Sequence, residues 1–173
     1  MTSAQTFVLQ RNTETFRQVF TWIFGRLSVG SWDEVALLAP YVFVSSAVIL
    51  ALRRQLDVMR VGDVEAQSLG IRPGRVRAVV IVAASLGTAA AVAVSGLIGF
   101  VGIIVPHAVR LVVGSTNRIV LPLSIIVGAA FLVFADLIAR TLLSPTEISI
   151  GVITSFLGAP FFIVVLRTSR RTF

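Results

Sequence analysis

Few side chains in this sequence could perform covalent chemistry. It has one histidine, His107, no cysteine and no lysine, so that all 15 basic residues are arginines. Without lysine there is no Walker-type phosphate loop and no Schiff base, and without cysteine there is no thiolate metal site. One histidine also excludes a multi-histidine metal site. We therefore predict that the chain has no catalytic, metal or cofactor site and is not an enzyme.

Three charged or titratable residues lie in apolar surroundings. Asp136 and Arg140 are four residues apart, so on a helix they meet on one face. Because an isolated charge is costly inside a membrane, we predict a structural ion pair near the outer end of its helix, and a direct role on a substrate path is the alternative. For His107 we predict a structural hydrogen bond near a turn, with proton relay as the alternative.

The composition indicates a membrane protein. Hydrophobic residues make up 56% of the 173 residues, charged residues 13%, and the mean hydropathy is +0.95. Soluble domains carry about 25% charged residues, so a soluble globular chain and a disordered one are both excluded. The net charge of +7 suits arginines that flank membrane spans better than a nucleic-acid surface. Uncharged runs cover residues 35–52, 78–106, 119–135 and 148–166.

The second run, residues 78–106, is too long for one simple span. It contains Gly96, Gly99, Gly102 and Pro106, for which we predict a turn and close helix packing. A turn there places eleven of the fifteen arginines on the same side of the membrane as residues 53–77, whereas a single long helix places only seven there and eight on the other side. Since arginine favours the cytoplasmic side, the turn is preferred. The predicted fold is an all-α membrane protein of about five transmembrane helices, one of them short, preceded by a short helix at the outer surface.

The loop between the first two spans, residues 53–77, holds six of the arginines, is predicted to be cytoplasmic and is named the 53–77 loop. Asp63 is predicted to cap a short helix over residues 64–69, Glu65 lies in its first turn, and Gly70 is predicted to end it. Pro73 then suits the first turn of the next helix. Such a rigid helix could dock a partner protein, and a solvated connector is the alternative.

Four segments resemble the BtuC/FecCD-type permeases, the membrane subunits of ABC importers for iron–siderophores, haem and vitamin B12. They are residues 62–70 (GDVEAQSLG), 95–107 (SGLIGFVGIIVPH), 135–140 (ADLIAR), and 150–154 with 157–162 (IGVIT, LGAPFF). The resemblance implies one transmembrane permease domain over residues 1–173 that corresponds to the C-terminal half of a ten-helix subunit. The chain is then a fragment, a truncated reading frame or a split permease.

The resemblance also implies site residues and partners. It implies that the last helix helps to line the path between two permease subunits. Because proline frees a backbone carbonyl and bends a helix, Gly158, Ala159 and Pro160 are predicted to interrupt this helix, and the bend serves either gating or only packing. The residues expected to couple to an ATPase are Asp63, Glu65, Ala66, Ser68, Leu69 and Gly70. The implied partners are cytoplasmic ABC ATPase subunits that hold ATP and magnesium, a second permease subunit, an extracytoplasmic binding protein and the lipid of a bacterial inner membrane; no nucleic acid is expected.

Two alternatives belong to other classes. One is a membrane scaffold or assembly subunit that transports nothing. The other is an intramembrane protease, because Ala93-Val94-Ser95-Gly96 is similar to the Gly-x-Ser-Gly motif of rhomboid proteases and His107 could act as the base. The missing first glycine and the short spacing between serine and histidine both argue against a protease.

Overall fold

The computed structural model describes residues 19, 22–25, 27, 31–142 and 148–169, and within these ranges all regular structure is helical. Three of the described helices are long and apolar enough to cross a membrane, and two shorter apolar segments, Val101–Val113 and Ile150–Ile163, accompany them. The predicted all-α membrane fold is confirmed. In chain order the helices are α1 (Trp32–Ala51), α2 (Arg53–Val58), α3 (Asp63–Ser68), α4 (Pro73–Ser95), α5 (Val101–Val113), α6 (Asn117–Thr141) and α7 (Ile150–Ser169).

The five long helices alternate in direction between two ends of the bundle. The end that carries α2 and α3 is named the arginine end, and the opposite end, near Trp22, the tryptophan end. The Asn117 amide at the start of α6 donates to Asp57 of α2, so α5 ends and α6 begins at the arginine end. The Gly151 amide donates to the Phe24 carbonyl, 3.0 Å away, so α7 starts at the tryptophan end.

The long apolar run is broken where the sequence predicts a turn. Helix α4 ends at Ser95, Gly96 has φ 70°, and α5 starts at Val101 after Phe100, which has φ 65°. The left-handed conformation is costly for a residue with a Cβ atom, so it marks a constrained turn at Phe100. Pro106 is a correction, because it lies inside α5 and not in the turn.

The three glycines of this run differ in their surroundings. A Cβ atom on Gly96 would collide with the Trp22 carbonyl oxygen, whereas one on Gly99 or Gly102 would meet nothing within 4 Å. Close packing therefore occurs at Gly96, and the expected close packing at Gly99 and Gly102 is not found within the described residues.

The last helix also differs from the expectation. Helix α7 runs without a break from Ile150 to Ser169, so the interruption predicted at Gly158, Ala159 and Pro160 is wrong. A Cβ atom on Gly158 would collide with the Phe100 ring, so this glycine makes room for the turn between α4 and α5. A proline is tolerated in an apolar helix where neighbouring groups and local adjustments satisfy the freed carbonyl.

Most apolar side chains of the bundle point outward. A small core joins α5 and α6 through Val105, Val109 and Val120, with Phe131 packed against it. In the apolar windows of α1 and α4, in contrast, only 6% of the residues are buried, and 11% in α6. Such an apolar exterior is suited to contact with lipid or with further helices.

Candidate functional site

Helix α3 begins one residue earlier than predicted. Its N-cap is Gly62, which offers no side-chain hydrogen bond, so the expected capping role of Asp63 is wrong. As the first helical residue, Asp63 instead extends its carboxylate to Arg77 near the start of α4. The two terminal guanidinium nitrogens of Arg77 lie 2.8 and 2.9 Å from the two carboxylate oxygens of Asp63. This bidentate ion pair ties the start of α3 to α4.

The end of α3 follows the local signals in the sequence. Gly70 has φ 79°, its amide donates to the Gln67 carbonyl at 2.9 Å, and the Ile71 amide donates to the Ala66 carbonyl at 3.0 Å. These two bonds are the Schellman motif, which terminates a helix at a left-handed glycine. Pro73 then occupies the first turn of α4, as predicted. The chain thus reverses sharply between α3 and α4.

One side of α3 is buried and the other is open. The Ala66 side chain is 0% exposed, whereas the exposed fractions of Val61, Val64 and Leu69 are 75%, 77% and 70%. Exposed apolar side chains grouped on a rigid element are typical of a protein–protein contact. The exposed side chains of this surface, named the docking face, belong to Val61, Val64, Glu65, Ser68 and Leu69.

Helix α2 contacts the turn between α5 and α6. The Asp57 carboxylate accepts a 2.8 Å hydrogen bond from the Asn117 amide, and the Arg60 guanidinium donates to the Ser115 carbonyl. The N-cap of α6, Thr116, makes no capping hydrogen bond through its own side chain. Asp57 therefore caps α6 from another helix. Sequence reasoning missed both contacts, because 60 and 55 residues separate the partners.

The ion pair predicted in α6 has the geometry that its spacing requires. The Nε of Arg140 lies 2.8 Å from Oδ2 of Asp136, and the two side chains are 45% and 21% exposed. The pair lies near the end of α6 opposite Asn117, at the tryptophan end.

Among the described residues, no hydrogen bond joins Ser95 to His107. The Ser95 hydroxyl donates to the Ala91 carbonyl at 2.9 Å, at the end of α4. His107 lies within α5 and not near a turn, and its ring meets the edge of Phe161 at 5.7 Å between centroids. Among the described residues His107 has no hydrogen bond, so its predicted structural role is an aromatic contact instead.

A glycine missed by sequence reasoning lies at the tryptophan end. A Cβ atom on Gly151 would collide with the Phe24 carbonyl and would come within 3.1 Å of the Leu97 carbonyl. Gly25, with φ 75°, approaches the same Leu97 carbonyl. The turn after α4, the segment around Phe24 and the start of α7 are thus held together by backbone contacts. No period or charge pattern in the sequence indicates this junction.

Fold and site together define an all-α membrane protein that presents a short rigid helix between two of its spans. Comparison with known proteins identifies the group within that class. The chain belongs to the FecCD transport family, whose model matches residues 1–168. The resemblance seen in the four sequence segments is thereby confirmed.

Relatives with assigned names share much of this sequence. The cobalamin import system permease protein BtuC of Halobacterium salinarum is 44% identical over 161 residues, which are 93% of this chain and 43% of that relative. The hemin transport system permease protein HmuU of Yersinia pestis is 36% identical over 91% of this chain and 47% of its own length. The Fe(3+)-citrate import system permease protein YfmE of Bacillus subtilis is 37% identical over 87% of this chain and 45% of its own length.

A solved structure shares the fold. A metal-chelate type ABC transporter in an inward-facing conformation superposes with a TM-score of 0.83 at 31% identity, covering 96% of this chain and 55% of that one. The chain therefore spans about half the length of the proteins that it matches.

Proposed function

We propose that this chain is part of the transmembrane permease subunit of an ABC importer, corresponding to its C-terminal half, in the cytoplasmic (inner) membrane. It moves a metal chelate inward and performs no covalent chemistry itself. Separate cytoplasmic subunits bind and hydrolyse ATP with magnesium, an extracytoplasmic protein delivers the chelate, and a second permease subunit completes the path. The family membership and the fold of the solved ABC transporter support this proposal.

The docking face on α3 is the observation that carries the proposal. Its apolar side chains Val61, Val64 and Leu69 are more than two-thirds exposed, although the helix beneath them is fixed. The Schellman motif at Gly70 and the ion pair between Asp63 and Arg77 hold it at both ends. A helix that is fixed to a membrane span but open on one side can transmit a push from an ATPase to the bundle.

The arginines give the orientation that this function needs. Those of α2 and the start of α4 lie at the same end as Arg110 and Arg118, which border the turn between α5 and α6. Because arginine is enriched in cytoplasmic loops, the arginine end is assigned to the cytoplasm, where ATP is hydrolysed.

We propose a ferric siderophore as the first substrate candidate and haem or a cobalamin-like chelate as the others. The relatives carry names for cobalamin, hemin and Fe(3+)-citrate, and all three are similar over most of this chain. Uptake of radiolabelled ferric siderophore, ferric citrate, hemin and cobalamin should therefore be compared in one strain that lacks other importers. Each of the four compounds competes with the transported one only if it shares the path.

The coupling role is tested by Leu69→Asp in the complete transporter. Since the side chain is 70% exposed, the bundle should stay folded, while ATPase subunits should no longer co-purify and uptake should be lost. The matched control is Leu142→Asp, an equally apolar residue 64% exposed just beyond α6, at the tryptophan end. Unchanged uptake and ATPase binding in Leu69→Asp would show that α3 is only a connector, as in a scaffold.

A further inference from the structure

The turn between α5 and α6 is bound by side chains of the 53–77 loop, which is not part of the α5–α6 hairpin. Asp57 accepts from the Asn117 amide and Arg60 donates to the Ser115 carbonyl, so two polar side chains of the loop contact the backbone of the turn. The Asn117 side chain and backbone are 8% exposed, which leaves little access for water. We name this set of contacts the 57–117 contact.

The Asp57 carboxylate is held at the start of α6 by burial and by a hydrogen bond. Its Oδ2 is buried without a hydrogen-bond partner among the described residues, while its Oδ1 binds the first amide of α6. A negative charge at a helix N-terminus is favourable, because the first amides point toward it. Thr116 precedes α6 with φ −73° and ψ 118° and contributes no side-chain bond. Asp57 therefore replaces the local cap that Thr116 could supply.

The connectivity of the bundle makes this contact mechanically important. Helix α3 is joined to α4 through Gly70 and the Asp63–Arg77 pair, and α2 continues from α1 through the bond from the Leu52 amide to the Val48 carbonyl. Along the chain, α5 and α6 are reached only through the whole of α4. Its 23 residues span about 35 Å at 1.5 Å per residue.

We propose that Asp57 and Arg60 are positioning residues that transmit the movement of α3 to the α5–α6 hairpin. The two helical pairs, α1 with α4 and α5 with α6, then move together when the docking face is pushed. This inference rests on the proposed function, because it requires an ATPase that acts on α3. It assigns to α2 a role in coupling that is separate from docking.

Two variants break the contact from opposite sides. Asp57→Ala removes the acceptor, and Asn117→Pro removes the donor. Proline is favoured at the first position of a helix, and the extended backbone of Thr116 suits a residue that precedes proline. Asn117→Ala, which keeps the amide, and Thr116→Ala, whose hydroxyl makes no capping hydrogen bond to α6, are the matched controls.

The assay uses the complete transporter purified from its native membrane and returned to lipid vesicles. It measures ATP hydrolysis, ATPase co-purification and uptake of whichever of the ferric siderophore, ferric citrate, hemin or cobalamin the wild type transports. We expect Asp57→Ala and Asn117→Pro to keep the ATPase bound while transport per ATP falls about tenfold, the order of effect of losing one charge-assisted hydrogen bond. The double variant should be no worse than either single one, and both controls should match the wild type.

A distance measurement separates positioning from mere stability. Because the chain has no cysteine, Arg54→Cys and Arg118→Cys give it two thiols, one on each side of the contact, which are labelled in a transporter whose other parts have been made cysteine-free. The distance should stay narrow with and without ATP in the wild type and broaden in both variants. If the variants kept wild-type coupling and a narrow distance distribution, this inference would be overturned while the proposed function would stand. A wild-type complex without any ATPase subunit would overturn the proposed function and this inference with it.

Discussion

Breaking the ion pair between Asp63 and Arg77 should impair coupling more than folding. The two side chains are 44% and 56% exposed, and an exposed pair contributes about 0–1 kcal/mol to stability. Arg77→Ala should therefore lower the free energy of unfolding by less than about 1 kcal/mol. Helix α3 has only 6 residues, too few to be stable alone, so its orientation depends on such attachments.

The expected loss of transport follows from the free energy that the Asp63–Arg77 pair contributes. If the pair fixes α3 with about 1 kcal/mol, its loss changes the population of the docked orientation by a factor of about five. Transport per ATP should fall by that factor in Asp63→Ala and in Arg77→Ala. The matched control is Arg75→Ala, an exposed arginine in the same turn region that makes no ion pair among the described residues.

Charge exchange separates the pair from its individual residues. The double variant Asp63→Arg with Arg77→Asp should recover part of the lost coupling. Recovery is incomplete because a positive charge in the first turn of α3 is unfavourable by about 0.3–1 kcal/mol. The assay is chelate uptake together with ATP hydrolysis in vesicles, with thermal unfolding as the stability measurement. Single variants with wild-type coupling, or a double variant worse than both single ones, would refute the reasoning.

Two further predictions concern the tryptophan end. Gly96→Ala should destabilise the bundle by about 1–3 kcal/mol in a thermal unfolding assay, because its backbone, with φ 70° and ψ −164°, is in a region that favours glycine and the added Cβ atom would collide with the Trp22 carbonyl. The control Gly99→Ala, where the added Cβ atom meets open space, should change the stability by no more than about 0.5 kcal/mol. Arg140→Ala should lower the melting temperature more than the double variant Asp136→Asn with Arg140→Ala, because the single change leaves an unpaired carboxylate in an apolar helix; equal melting temperatures would show that the pair is not structural.

Signals within a few residues of each other were readable from the sequence. Gly70 as a helix stop, Pro73 as a helix start and the turn after Ser95 are set by backbone preferences of the residues themselves. The arginine count chose the hairpin correctly, because charge placement relative to a membrane is a property of whole segments. These are the features that fix the order and direction of the helices.

Contacts between distant segments were not readable. Asp63 looks like a cap from its neighbours, but its partner Arg77 is 14 residues away and competes successfully for the carboxylate. Asp57 binds a backbone amide, which leaves no complementary side chain to notice in the sequence. The break expected at Pro160 is absent, because a helix in apolar surroundings keeps its remaining backbone bonds where water offers no replacement.

The most direct test of the account asks what the docking face touches in the cell. Val64, 77% exposed on α3, is replaced by a photo-crosslinking amino acid in the complete transporter, and the crosslinked product is identified by mass spectrometry after illumination of intact cells. The account predicts a crosslink to a nucleotide-binding ABC subunit that is lost in Leu69→Asp. A crosslink to an extracytoplasmic protein, or reaction of Val64→Cys with a membrane-impermeant reagent added outside the cell, would contradict it.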